Sequence, residues 1–304
     1  MISWVHYGSA NLSTFYDASE RLRLGARDLV YAARASRQRM AGRAVVPRIL
    51  CNSFPKSGTH LLAQILLQFP SIINWDDIIA VQSLSGVMNT ERHLRWKLAS
   101  APQGSLVRTH LMYMPEILKV IESASLRRFF IYRDLRDVAV SHASWVLKEP
   151  RYFLHQIYKA LPDFDACLLA SIKGTPLGSP FGSNLSHPDI GTDFSRWRGW
   201  LNDSETVAVK FEDLVGERGG GSEASRLVNI KRIAAALGES LDQADLQKFG
   251  SVNMDPAKSH TFLKGNKGAI GGWRDKFKSQ HTDAFKLVAG HTLIELGYET
   301  GLDW

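Results

Sequence analysis

The chain has 304 residues, 44% hydrophobic and 22% charged, enough to bury a substantial core as one large α/β domain or two smaller ones, of which one is the simpler reading. Its net charge of +7 points to anionic ligands, but the Lys and Arg residues are spread along the chain without an RNA-binding signature, which disfavours nucleic acid as a partner. Cys51 and Cys167 alone make no disulfide framework, and no signal peptide or membrane-spanning run is present, so core thiols in a soluble, cytoplasmic protein with no stable membrane insertion are expected.

In chain order, residues 17–43 set Leu22, Leu29 and Val30 against Arg21, Arg27, Arg34, Arg37 and Arg39. This reads as a helical N-terminal extension over 1–46, its basic face solvated or laid on the domain or on an anionic surface. A strand is expected over 49–54 and a helix over 58–69. A short strand over 105–108 ends in a loop carrying His110, followed by a helix over 115–123 and a strand over 128–132 rich in Phe and Ile. A helix over 134–147, a strand over 206–211 and a helix over 223–237 continue the alternation. That order predicts an α/β three-layer sandwich over 47–304, a central parallel sheet flanked by helices. Residues 149–192, with five prolines, read as a variable functional or mobile loop unlike sheet or packing helix. Residues 250–272 mix Gly265, Gly268, Gly271 and Gly272 with Lys258, Lys264 and Lys267, the composition of a basic anion-binding loop.

The segment from Cys51 to Leu66 runs an apolar strand into Pro55-Lys-Ser-Gly-Thr59 and out into an amphipathic helix. Such a strand-loop-helix junction is an anion site: Gly58 admits close approach of the backbone, and the helix start presents unpaired N–H groups and the positive end of its dipole. Lys56 adds a charge, and Ser57 and Thr59 add hydroxyls. An ATP-binding loop places its lysine after the second glycine, whereas here Lys56 precedes Gly58 and no glycine lies in the six residues before it. A plain helix cap beside a stray lysine is the alternative. The start of the 134–147 helix, directly after Arg133, offers a second strand end and helix N-terminus to an anion.

With three further segments, this loop resembles the PAPS-dependent sulfotransferases, the cytosolic-type family that moves a sulfuryl group from 3′-phosphoadenosine 5′-phosphosulfate to a hydroxyl or amine. Arg108-Thr-His-Leu111 with Met114-Pro-Glu-Ile-Leu118 looks like the segment carrying the catalytic histidine. Arg133-Asp-Leu-Arg-Asp-Val-Ala-Val-Ser141 looks like the 3′-phosphate-binding segment, and Lys267-Gly-Ala-Ile-Gly-Gly-Trp273 with Phe277 looks like the C-terminal phosphate loop. The four segments fall in family order between residues 47 and 277.

The resemblance implies PAPS as donor, PAP as product and no metal. It implies His110 as general base, a role an imidazole with an ordinary pKa near 6.5 suits, and Lys56 as stabiliser of the leaving phosphate. Lys56, Ser57, Gly58, Thr59 and His60 would hold the donor's 5′ end together with Arg108, where the family more often has lysine. Arg133 and Ser141 would hold the 3′-phosphate, with Lys264, Lys267 and Gly268 from the C-terminal loop. Three positions depart from the family pattern: Asn266 replaces a phosphate-binding arginine, Leu61 the tryptophan that stacks on adenine, and Phe211 the tyrosine before Glu212-Asp213. The family's C-terminal dimer motif is not matched at 274–283. The acceptor, a small molecule or a glycan, is expected against loop aromatics among Trp75, Trp96, Trp145, Tyr152, Phe153 and Phe181. Two other functions fit the same architecture: an ATP-dependent phosphotransferase, or a non-catalytic binder of an anionic nucleotide or glycan.

Overall fold

Proline-free apolar runs such as Ile49-Leu-Cys51 and Phe129-Phe-Ile131 have too few polar side chains for a surface and bury both faces as strands. In the computed structural model they align in one six-stranded sheet. The structure describes residues 46–75, 79–80, 91–175, 187–242, 244–246, 249 and 270–304, with Leu29 and Ala33; the rest of the expected 1–46 extension and most of the 250–272 loop lie outside the described residues.

The strands are β1 (Arg48–Ser53), β2 (Ile73–Asn74), β3 (Ile79–Ala80), β4 (Ser105–His110), β5 (Leu126–Tyr132) and β6 (Thr206–Lys210). They lie in the order β2, β4, β1, β5, β6, with β3 beside the carboxyl end of β4, and every pairing between these strands is parallel. The register sets Asn52 of β1 beside Thr109 of β4 and Phe130 of β5, so the strands end together along one edge. The chain winds from β1 to β4 on one flank and to β5 and β6 on the other, and ligands of open α/β sheets bind outside such a reversal.

The helices are α1 (Thr59–Leu66), α2 (Glu91–Ser100), α3 (Pro115–Ser123), α4 (Leu135–Val146), α5 (His155–Lys159), α6 (Phe164–Lys173), α7 (Ile190–Ser195), α8 (Gly199–Asn202), α9 (Phe211–Leu214), α10 (Glu223–Ala236) and α11 (Ser279–Glu295). Alternate strand residues divide the core between two faces. Leu50, Val107 and Phe130 pack with Leu94, Ile117, Val138, Leu168, Phe194 and Phe285 from α2, α3, α4, α6, α7 and α11. Ile49, Cys51, Phe129 and Ile131 pack with Leu61, Leu62, Leu214, Ile230 and Ile233 from α1, α9 and α10. The expected three layers are therefore present, and both cysteines are buried thiols. No helix among the described residues is long and apolar enough to cross a membrane.

The structure corrects the reading of 149–192 as unlike packing helix. Asp163 accepts the Ala166 N–H and caps α6, Asp189 caps α7 in the same way, and Leu168, Ile172, Ile190 and Phe194 enter the core. Pro162 stands just before a helix cap rather than breaking a helix. The short β2 and β3, α2 and the 17-residue α11 were not expected from the sequence.

The C-terminal segment is fastened to α4 by one buried cation. Arg136 bonds the Asp134 carboxylate and Glu299, and its guanidinium lies between Trp273 at 4.0 Å and Trp304 at 4.5 Å. Removing one side of such a pair leaves a buried charge without a partner. Arg136→Met is expected to cost about 3 kcal/mol in urea unfolding. Glu299→Gln, at a position 20% exposed, should cost about 1 kcal/mol or less. Equal and small losses for both variants would show that this anchor does not hold the C-terminal segment.

Candidate active site

The loop after β1 is a tight turn in which the Ser57 N–H donates to the Phe54 carbonyl at 3.1 Å. Pro55 suits its first central position, and Lys56 occupies the second at φ 68°, a left-handed conformation that favours glycine and costs a lysine about 1 kcal/mol. Gly58 follows at φ 107°, where an added Cβ would lie 2.6 Å from the Phe211 ring, so both the conformation and the space require glycine. The Ser57 hydroxyl oxygen is buried without a hydrogen-bond partner among the described residues. No side chain caps α1 and no acid lies in its first turn, which leaves the positive helix end to a ligand.

The start of α4 is built in the opposite way. The Asp134 carboxylate accepts the Arg136 N–H at 2.9 Å, the Asp134 N–H donates to Glu212, and Asp137 lies in the first turn. At this second helix start the protein's own carboxylates take the Arg136 and Asp134 amides.

His110 ends β4 facing Ser53, the last residue of β1. Its Nδ1 lies 3.0 Å from the Ser53 carbonyl oxygen and 3.1 Å from Ser53 Oγ. A carbonyl only accepts, so Nδ1 carries the proton and Nε2 keeps its lone pair. Ser53 Oγ in turn lies 2.6 Å from Thr59 Oγ1, which ties the imidazole to the first residue of α1. Burial, and secondarily the nearby Lys56 charge, push the His110 pKa down to about 4 against the opposing Ser53 bond, so the ring is neutral at pH 7.

Asn52 fixes the backbone on both sides of that histidine. Its side-chain carbonyl accepts the Thr109 hydroxyl and the Leu111 N–H, each at 2.9 Å, and its NH₂ donates to the Leu111 carbonyl at 2.9 Å. Trp200 donates to the same carbonyl at 2.8 Å. Arg108 lies two residues before His110 on the same strand face, in register with Cys51. Burial pushes that thiol up to about 12 even with Arg108 nearby, so Cys51 is an inert core group.

Lys56 is half-buried, which pulls its pKa down to about 8, and its ammonium stands 4.8 Å from the centre of the Trp145 ring. Trp145 begins an aromatic wall through Tyr152, at 4.6 Å, and Phe153, 4.7 Å further. Behind it His142 is buried, bonded through Nδ1 to Ser171 Oγ at 2.9 Å and stacked on His187 at 5.1 Å. Burial first, then His187 and Lys56, hold the His142 pKa well below the usual range. The His142 Nε2 has no partner among the described residues.

Arg133 follows β5 with its guanidinium 4.3 Å from the centre of the Phe211 ring and Nη2 3.2 Å from the Asp137 carboxylate. Ser141 lies two turns along α4 and His60 at the second residue of α1, both half-buried. The structure thus gathers Lys56, Ser57, Gly58, Thr59, His60, Arg108 and His110 around the ends of β1 and β4, with Arg133 at the end of β5. Lys264, Asn266, Lys267, Gly268 and Phe181 lie outside the described residues. Leu61 is fully buried under the sheet and presents no face to a nucleobase, and Trp75 is core. Sequence reasoning passed over Asn52, Ser53, Asp137 and His142, although an asparagine inside the apolar run Ile49-Leu-Cys-Asn52 is itself a signal of a buried polar tie.

No family model matches the sequence, and no curated protein matches it. Among solved structures the chain is similar to the mouse sulfotransferase SULT7A1 complexed with PAP, at 18% identity and a TM-score of 0.55, over 81% of this chain and 84% of that one. It is also similar to retinol dehydratase in complex with androsterone and the inactive cofactor PAP, at 16% identity and a TM-score of 0.53, over 81% and 80% of the two chains. A complex of retinol dehydratase with retinol and PAP matches at 17% identity and a TM-score of 0.51, over 82% of each chain. With a parallel sheet in this order and a strand-loop-helix junction at its central strand, the chain has the PAPS-dependent sulfotransferase fold.

Proposed function

We propose that this protein is a sulfotransferase that moves a sulfuryl group from PAPS to a hydroxyl or amine of a small-molecule or glycan acceptor. The observation that carries the reading is the conjunction of Lys56 in a left-handed turn at an uncapped helix start with a neutral histidine whose Nε2 keeps its lone pair. The PAP-bound complexes of the same fold support it.

In this reading His110 Nε2 takes the acceptor's proton as the acceptor oxygen or nitrogen bonds to sulfur and the bond from sulfur to the 5′-phosphate oxygen breaks. The products are the sulfated acceptor and PAP, with the proton on His110. A positioned base of this kind is worth about 10²- to 10⁴-fold in rate. Lys56 and Arg108 neutralise the charge that grows on the departing phosphate, and the α1 amides with Ser57 and Thr59 hold its oxygens. Arg133 and Ser141 take the 3′-phosphate, joined by Lys264, Lys267 and Gly268 from the C-terminal loop. The wall of Trp145, Tyr152 and Phe153 beside Lys56 suits an acceptor with an apolar or aromatic face. Androsterone and retinol, seen with retinol dehydratase, are apolar molecules of that kind. Transfer of ³⁵S from labelled PAPS into fractionated metabolites and glycans would identify the acceptor, and wild-type turnover by His110→Ala would remove the base assignment.

The two shifted groups set the pH dependence. His110 works neutral, so kcat/KM should fall as pH drops through about 4. Lys56 works charged, so activity and PAP affinity should fall as pH rises through about 8. Bound phosphate favours the ammonium, so PAP binding above that value should take up a proton and weaken about tenfold per pH unit. Calorimetry in buffers of different ionisation enthalpy reads both effects, and a PAP affinity that stays flat from pH 7 to 10 would rule Lys56 out of the phosphate site.

The strained turn gives a separate test. Lys56→Gly relieves a left-handed lysine, so the variant should unfold at a temperature no lower than the parent's while losing PAP-dependent turnover. A clearly lower melting temperature would mean that Lys56 is held by packing, with no functional demand on its conformation.

A further inference from the structure

Asp137 is buried in the first turn of α4 and its carboxylate is shared by three donors from two parts of the chain. The Trp273 N–H donates to Oδ1 at 2.9 Å, and the Gly271 N–H donates to Oδ2 at 2.9 Å. The Arg133 guanidinium donates to Oδ2 at 3.2 Å. Gly271, at φ 73°, turns the chain so that both amides meet one carboxylate. With both oxygens fixed by backbone, the carboxylate cannot rotate away from Arg133. The opposite constraint on that guanidinium is the Phe211 ring, 4.3 Å from its central carbon.

We propose that Asp137 is a positioning residue for the donor's 3′-phosphate: it holds the Arg133 fork in the orientation that grips the phosphate, and it is itself set by the Gly271 and Trp273 amides. The inference rests on the assignment of Arg133 to the 3′-phosphate made above. A guanidinium is a rigid plane of donors, and the Asp137 carboxylate and the Phe211 ring set the orientation of that plane. The two amides already satisfy much of the carboxylate's charge, so Arg133 keeps its attraction for a dianion. The Arg136 amide at the start of α4 does not substitute for it, because the Asp134 carboxylate already accepts it. Part of the selectivity for a 3′-phosphate therefore depends on how well this side chain is held, since an arginine free to rotate loses conformational entropy on each binding event.

The test compares PAP with ADP, which keeps a phosphate on the 5′ oxygen, extends it by a second phosphate, and lacks the 3′-phosphate. By calorimetry, Asp137→Asn should weaken PAP about tenfold and leave ADP unchanged, a difference of about 1.4 kcal/mol. Arg133→Lys keeps the charge but has no fork to lie between Phe211 and Asp137, and should lose the same selectivity. Combining Asp137→Asn with Arg133→Ala should lower the PAP to ADP ratio no further than Arg133→Ala alone, because the aspartate acts through the arginine. Equal weakening of both nucleotides by Asp137→Asn, or no change in either, overturns the proposal, as does an Arg133→Lys protein with the parental ratio. If Arg133→Ala itself leaves the ratio untouched, the 3′-phosphate assignment fails, an outcome distinct from failure of the Asp137 role alone.

Discussion

The site depends on one buried amide. Asn52 occupies a strand position where a hydrocarbon would pack at no cost, and its carboxamide is taken up by the Thr109 hydroxyl and by both backbone groups of Leu111. Those bonds carry the attachment of β4 to β1 past the last residue of the strand, with His110 between two fixed neighbours. A buried amide with partners missing is expensive, whereas a fully bonded one is rigid. Rigidity is what the imidazole needs, because its tautomer is chosen by Ser53, the residue after Asn52, and a shift of β4 along β1 would separate Nδ1 from both Ser53 oxygens.

From that fixed corner the electrostatics follow by contrast between two helix ends. At α1 the protein supplies a lysine, a glycine and no cap; at α4 it supplies Asp134, Asp137 and Glu212. The first end is left without a carboxylate and the second is supplied with its own. Burial shifts both groups at the open end downward, Lys56 to about 8 and His110 to about 4, by the same desolvation of the charged form. Around neutral pH this leaves a cation beside a neutral imidazole, the pair of states that the proposed sulfuryl transfer requires. A doubly charged pair would repel and a doubly neutral pair would leave the departing phosphate without a counter-charge.

Much of this was legible in the sequence where chemistry and geometry coincide in a few adjacent residues. The strand, turn and helix from Arg48 to Leu66 follow from an apolar run, Pro55 and Gly58, and the His110 and Arg133 segments follow from their strand ends. What the sequence hid has identifiable causes. Pro150 and Pro162 suggested a loop, but Pro162 stands before the Asp163 cap of α6, where proline is compatible with a helix start. The α11 helix sets exposed Leu287 near core-facing Phe285 and Leu293, so its apolar residues blur the helical stripe. The start of α4 looks electropositive until its cap is counted, and Asp134 supplies a cap for the Arg136 amide.

The division between what is fixed and what varies also explains why the donor end is easier to read than the acceptor end. On the proposed reading the donor side is positioned by backbone: the Phe54 carbonyl closes the Lys56 turn, the Ser53 carbonyl sets His110, and the Gly271 and Trp273 amides set Asp137. Backbone groups persist whatever the side chains become, which fits a fold retained at 16–18% identity. The wall facing Lys56 consists of side chains alone, Trp145 from α4 and Tyr152 and Phe153 from the segment after it, with the His142 imidazole behind. Each of these can change without disturbing a strand. On the proposed reading, acceptor choice is set by the far end of α4 and the residues that follow it, while Asp137 in the first turn of the same helix ties down the donor side.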